Sequence, residues 1–142
     1  MRARRLLPAT IALAALTAAC NSPGPEARDA GGNLHAYAAE ARRLNARGEG
    51  KIIAGDCVSS CTLYLAVQQV CVEKSARLWF HAPHRPGDAR PDGLGALDML
   101  AHYPKEVRAW AIRVHALESA DFDPAHSLSG EELIAMGVRA CE

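Results

Sequence analysis

Residues 51–62 read KIIAGDCVSSCT. Residues 51–55 are a short apolar run with two β-branched side chains, which predicts a buried strand. After residues 56–58, either Ser59 or Ser60 can cap a helix that runs from Cys61 to about Gln69. A strand that leads into a helix is a building unit of α/β domains, so this stretch points to that class.

The segments on either side continue the alternation of strands and helices. Upstream, apolar residues at helical spacing predict a helix over residues 34–44, and Gly48 and Gly50 end it. An acidic residue, Glu132, follows Ser129 by three positions, which fits a capping box at the start of a last short helix. The remaining predicted elements are strands at 70–72 and 77–80, a Pro- and Gly-rich loop at 83–93, and helices at 94–102 and 104–118. Together they predict one layered α/β domain over residues 33–142.

The first twenty residues have the pattern of a bacterial signal peptide. Three arginines precede residues 6–19, which carry no charge. Such a run is too short to cross about 30 Å of hydrocarbon, but it suits the apolar region of a signal peptide. It ends in LTAAC at residues 16–20, which resembles a lipobox with Thr17 in place of the usual Leu. We predict a signal peptide over residues 1–19, export, and a membrane anchor in the cell envelope or periplasm through lipidated Cys20. Ordinary cleavage after Ala19 and secretion are the alternative.

The charge composition limits the classes of partner that the protein is expected to bind. The chain balances 16 basic against 16 acidic residues, and loss of the predicted signal peptide leaves 13 against 16. The mature part is therefore slightly acidic and has no basic patch, which argues against nucleic acid as a partner. Residues 20–32 carry two Pro and three Gly with almost nothing apolar, so they are predicted to be a tether.

Four cysteines remain besides Cys20, namely Cys57, Cys61, Cys71 and Cys141. An even number in an oxidising compartment predicts two disulfides, and three pairings are open. A structural zinc site and redox chemistry at the Cys57-x3-Cys61 pair are alternatives, but the spacing matches neither motif well. We therefore expect no metal and no cofactor.

Three features occur in an order that suits nucleophilic catalysis. Gly31-Gly32 can present backbone amides to an oxyanion, and Ser59 follows a predicted strand at a helix start. His81 ends another predicted strand, where it could take the serine proton as a general base. Taken singly, each has a plainer interpretation: the end of a linker, a helix cap and a polar strand end.

The same stretches resemble the Clp-type serine proteases and the related crotonases. The resemblance rests on residues 31–34, 51–59 and 76–83, and on a closing segment, LSGEELIAMGV at 128–138. It is closer still to exported bacterial proteins with a Cys-x-Ser-Ala-Cys-Thr core, written CVSSCT here at residues 57–62. The resemblance implies a small layered domain of ββα type. It also implies Ser59 as nucleophile, His81 as general base, and Gly32 with the amide of Ser60 as oxyanion hole.

The chain departs from the family pattern at three points. The family's orienting acid falls on Ala125, so the nearby Asp123, or else Asp121, is the candidate for the third member of the triad, and either needs a shifted backbone to serve. Cys61 stands where the family has Gly. The strand that should precede Gly31-Gly32 is expected to be missing, because the predicted tether takes its place.

Two functions from different classes follow. The first is an exported serine hydrolase that acts on a peptide or acyl ligand, and the resemblance also allows a homo-oligomer. The second is a catalytically inactive, disulfide-stapled lipoprotein that serves as a binding or structural module. The family machinery at Ser59 and His81 favours the first, and the departures favour the second.

Overall fold

The computed structural model describes residues 28–142 of the 142-residue chain. The predicted signal peptide, Cys20 and residues 20–27 of the predicted tether lie outside them. The described elements, in chain order, are β1 (Arg28–Asp29), α1 (Leu34–Arg47), β2 (Lys51–Ile53), β3 (Asp56–Val58), a first 3₁₀ helix (Ser59–Ala66), β4 (Val70–Val72), β5 (Arg77–Trp79), α2 (Gly93–His102), α3 (Lys105–Arg113), a second 3₁₀ helix (Pro124–His126), β6 (Ser127–Ser129) and α4 (Gly130–Ala135).

The strands form two small sheets. The larger has the order β1-β3-β5-β6, with β1, β3 and β5 parallel and β6 antiparallel to β5. The smaller pairs β2 with β4 in parallel, and an isolated bridge joins Val72 to Ala140. Because β2 and β3 belong to different sheets, the chain crosses from the smaller sheet to the larger one between Ile53 and Asp56. The mixed sheet and four α-helices confirm the α/β class.

The strand expected to be missing before Gly31-Gly32 is present. β1 lies within the segment predicted as a tether and pairs with β3, with Arg28 opposite Asp56 and Asp29 opposite Cys57. The expectation was wrong because two paired residues leave almost no hydrophobic signal in a Pro- and Gly-rich stretch.

Helix α1 forms as its sequence predicts. Asn33 caps it by accepting a hydrogen bond from the Ala36 amide, and Gly48 ends it in the left-handed conformation that glycine tolerates best. Its buried face consists of Ala38, Ala41 and Leu44 and packs against the first 3₁₀ helix. The small alanines let α1 approach that helix closely.

The segment after β3 differs from its prediction. It is a 3₁₀ helix that ends at Ala66, and neither serine side chain caps it, because Val58 occupies the cap position. Its side chains are almost all buried, including Leu63 and Thr62, so burial rather than capping holds this segment in place.

The later helices follow the predicted pattern with shorter bounds. Helix α3 ends at Arg113 rather than near residue 118, because His115 takes a left-handed conformation at φ +59°. The Ser129–Glu132 capping box is confirmed, with both reciprocal hydrogen bonds formed. No helix among residues 28–142 combines the length and the apolar character that crossing a membrane requires.

Two disulfides are present, which confirms that prediction. Cys57 is bonded to Cys61, and Cys71 to Cys141. These pairs leave none of the four cysteines available as a zinc thiolate. Disulfides are typical of extracellular and periplasmic proteins.

Candidate functional site

Ser59 lies at the sharp turn between β3 and the first 3₁₀ helix. Its backbone is left-handed, at φ +56°, a region that residues other than glycine seldom occupy. Strained backbone of this kind concentrates at functional sites, and a serine on a strand-to-helix turn is the arrangement of a nucleophile elbow. Among residues 28–142 the Ser59 Oγ makes no hydrogen bond, so the hydroxyl is available to a ligand.

Hydrogen bonds from two buried side chains support the Ser59 backbone. The Thr62 hydroxyl donates to the Ser59 carbonyl at 2.7 Å and lies 2.6 Å from the Tyr103 hydroxyl. Because Thr62 has only one hydroxyl proton, Tyr103 must be the donor in that second bond. Both side chains are buried, and burial raises the pKa of Tyr103 above its ordinary value. A neutral Tyr103 therefore supports the turn through Thr62.

The Gly31-Gly32 turn packs directly against this elbow. Gly31 is left-handed at φ +75°, and a Cβ at this position would lie 2.4 Å from the Val58 carbonyl oxygen. The Ser60 hydroxyl donates to the Gly32 carbonyl at 2.8 Å and ties the two turns together. Neither the Gly32 amide nor the Ser60 amide has a hydrogen-bond partner within residues 28–142. These two N–H groups are the ones that an oxyanion hole at this turn would use.

Asp29 organises the glycine turn. Its carboxylate accepts a hydrogen bond from the Gly31 amide at 3.0 Å and another from the Tyr37 hydroxyl of α1. Burial and this bond raise the pKa of Tyr37. Sequence reasoning missed Asp29 because it fell in the predicted tether. An Asp two residues before a glycine pair is, however, a recognisable turn signal.

His81 follows β5 and is held by backbone bonds on both sides. Phe80 donates to the His126 carbonyl and Ala82 donates to the Ser119 carbonyl, at 2.9 and 2.8 Å. The His81 Nδ1 lies 2.9 Å from the Ala82 carbonyl oxygen. A carbonyl can only accept, so Nδ1 carries the proton in this bond and Nε2 is left as the basic nitrogen.

Ser59 and His81 line one cleft of about 750 Å³, together with Ser60 and the Gly31-Gly32 turn. The structure therefore places in one cleft the residues for which the sequence predicts the roles of nucleophile, base and oxyanion hole. It does not join Ser59 and His81 by a hydrogen bond.

Asp123 makes no hydrogen bond with His81. Its carboxylate accepts a hydrogen bond from the Ala125 amide at 2.8 Å and caps the second 3₁₀ helix. Asp121 is likewise engaged locally with Ser119. The assignment of Asp123 to a triad is therefore not supported, because a turn of its own chain uses the carboxylate. The Ala82 carbonyl is the group that fixes the His81 ring instead.

The Cys57–Cys61 disulfide brackets Ser59. Both cysteines are buried, at 1% and 3% exposure, and their Cα atoms are 5.4 Å apart. The bond closes a five-residue ring whose central member is the strained serine. Elsewhere in the described chain, no cluster of three His, Cys, Asp or Glu side chains could hold a metal ion.

Comparison of the chain with protein-family models, with curated proteins and with solved structures found no match. The candidate site therefore rests on the geometry of residues 28–142 alone.

Proposed function

We propose that this protein is a serine hydrolase that cleaves a peptide or acyl substrate. Ser59 is the nucleophile and His81 the general base. The observation that carries the proposal is the left-handed Ser59, whose hydroxyl makes no hydrogen bond among residues 28–142 and lies in the same cleft as His81.

The reaction would follow from groups already in the cleft. The Ser59 Oγ attacks the substrate carbonyl carbon while its proton passes to His81 Nε2. The Gly32 and Ser60 amides stabilise the oxyanion that forms, and the leaving group takes the proton from His81. Water then hydrolyses the acyl-enzyme by the same route. Proton transfer needs Ser59 and His81 within about 3.2 Å, and such contacts often tighten only when substrate binds.

The Ala82 carbonyl replaces one of the two functions of a triad acid, which is to orient the His81 ring. It fixes the tautomer and the ring orientation of His81 through Nδ1. A neutral carbonyl stabilises the imidazolium less than a carboxylate does, so we expect slow turnover. The proposed hydrolase therefore does not need Asp123 to orient His81.

The test is labelling of the purified mature protein with a fluorophosphonate probe. We expect wild type to be labelled and Ser59→Ala to be blank, with His81→Ala slowed by about a hundredfold or more. Ser75→Ala is the matched control, because Ser75 is an exposed turn serine. Ser60→Ala should slow labelling only partly, since it releases the bond to Gly32.

The second candidate function is a disulfide-stapled binding module without catalysis. The absent Ser59–His81 hydrogen bond and the local use of Asp123 favour it. Absence of labelling in a folded wild-type protein with both disulfides intact would establish this second function and retire the first.

We also propose that the chain is exported and anchored to the membrane through lipidated Cys20. The two disulfides support export, because such bonds persist in oxidising compartments. Metabolic labelling with a fatty-acid analogue in a bacterial host should tag wild type and not Cys20→Ala. An untagged wild type found in the medium would instead indicate plain secretion.

A further inference from the structure

The cleft that contains the proposed catalytic pair is lined by three basic residues besides His81. His35, His84 and Arg85 all line it. Its only carboxylate among residues 28–142 is Asp92, which already accepts hydrogen bonds from two backbone amides at the start of α2, at 3.1 and 3.2 Å. Among the described residues that line the cleft, Arg85 is therefore the permanent positive charge available to an anion, and Asp92 is engaged by backbone amides rather than by Arg85.

Arg85 is distinguished by the contrast with Arg90 on the same loop. Arg90 forms a bidentate pair with Asp88, at 2.8 Å for the closest contact. Arg85 forms no ion pair with any residue of the described chain. A guanidinium without a partner at the rim of a cleft is suited to bidentate binding of a carboxylate.

Two helix starts add to the positive character of the cleft. α1 and the first 3₁₀ helix both begin at residues that line it, and neither has an acidic residue in its first turn. Their exposed amides favour negative charge nearby. This supports the charge argument but is secondary to Arg85.

We propose that the cleft selects substrates with a carboxylate close to the scissile carbonyl, and that Arg85 binds this carboxylate. The rings of His81 and His84 are 6.3 Å apart, a distance that an extended peptide covers in about two residues. Arg85 follows His84 directly in the chain and lines the same cleft, so the peptides to test are those with a free C-terminus two or three residues beyond the scissile bond. This proposal rests on the proposed hydrolase function, because only a hydrolase has a scissile bond. The binding of the carboxylate can nevertheless be measured without catalysis.

The experiment measures binding to the Ser59→Ala protein by NMR titration. The probes are N-acetylated alanine dipeptides and tripeptides, each as the free acid and as the C-terminal amide. We expect the acid to bind about three- to tenfold more tightly than the amide, as a partly exposed charge-assisted contact allows. Arg85→Gln should abolish this preference, whereas Arg90→Gln, which removes the same charge from the same loop, should leave it unchanged.

Three results overturn the proposal: equal affinity for acid and amide, a preference that survives Arg85→Gln, or no binding of either probe at millimolar concentration. Fluorophosphonate labelling of the wild-type protein, with the Arg85→Gln protein beside it, separates this failure from that of the hydrolase. Labelling at the wild-type rate with no acid preference in the titration retires only the carboxylate selectivity. An acid preference without labelling retires only the catalysis.

Discussion

The two disulfides should differ in what they support. Removal of Cys71–Cys141 should cost more stability, whereas removal of Cys57–Cys61 should cost more of the proposed reactivity of Ser59. Cys71 and Cys141 are 70 residues apart, whereas Cys57 and Cys61 are four apart. On loop-closure entropy, Cys71→Ala/Cys141→Ala should lower the free energy of unfolding by about 4 kcal/mol, and Cys57→Ala/Cys61→Ala by about 2 kcal/mol. The larger loss is a substantial share of the about 5–15 kcal/mol that stabilises a domain.

The rate at which Ser59 is labelled should depend more on the Cys57–Cys61 bond than on the Cys71–Cys141 bond. The left-handed backbone of Ser59 costs about 1–2 kcal/mol, and we infer that the five-residue ring between Cys57 and Cys61 is the main constraint that holds it there, beside the Thr62 hydrogen bond. Opening that ring lets the elbow relax, which lowers the population of the strained conformer about five- to thirtyfold. We therefore expect fluorophosphonate labelling to slow by that factor in Cys57→Ala/Cys61→Ala and to stay near wild type in Cys71→Ala/Cys141→Ala, measured where both are folded.

Urea unfolding, monitored by tryptophan fluorescence, gives the free energy of unfolding of each variant. Labelling rates in the absence of denaturant report the population of the left-handed Ser59 conformer. The reasoning is refuted if the local pair proves the more stabilising, or if both variants lose labelling in proportion to their loss of stability. In either case the short ring would be part of the core rather than a support for the serine.

Three further predictions concern single residues. Thr62→Val should cost about 2 kcal/mol in urea unfolding, because it leaves the buried Tyr103 hydroxyl and the Ser59 carbonyl without their shared partner; a cost below 0.5 kcal/mol would contradict the hydrogen-bond chain. Gly31→Ala should abolish fluorophosphonate labelling, because its Cβ meets the Val58 carbonyl and its φ is unfavourable for alanine, and unchanged labelling would show that the glycine turn plays no part in the site. Hydrogen bonds from the Ser129 backbone and side chain lower the pKa of Glu132. Its contribution is therefore present above the carboxyl's unfolded-state pKa and lost as pH falls through the lower folded value. Glu132→Gln should cost about 1 kcal/mol in urea at pH 7 and less at pH 3, and an equal cost at both pH values would refute this account of the cap.

The sequence predicts the parts of this fold that depend on local signals. Helix α1 has an apolar stripe, a capping Asn33 and a terminating Gly48, and the capping box at Ser129 needs only three residues. The sequence predicts strands before both Ser59 and His81, but the strand that directly precedes Ser59 is β3, which lies beyond the strand predicted at residues 51–55. Their shared cleft follows from β3 and β5 being parallel neighbours, since the ends of parallel strands lie at the same edge of the sheet.

The parts that escaped prediction depend on contacts between distant residues. Thr62 meets Tyr103 across 41 residues, and no local pattern marks that pairing. The choice among three disulfide pairings rests on which strands become neighbours, which spacing does not reveal. The short strand β1 is defined by its partner β3 rather than by its own side chains, and Asp29 was overlooked with it.

The wide separation of Cys71 from Cys141 bears on the order in which the protein matures. If the chain is exported as proposed, Cys57, Cys61 and Cys71 reach an oxidising compartment before Cys141, which lies 70 residues after Cys71. Because contact probability falls with loop length, we expect the Cys57–Cys61 pair to form first and to leave fewer free thiols that compete for Cys71. On this reasoning the local bond would protect its two cysteines from mispairing, and we expect its loss to produce scrambled isomers that need a thiol-disulfide isomerase to reach the native pairing.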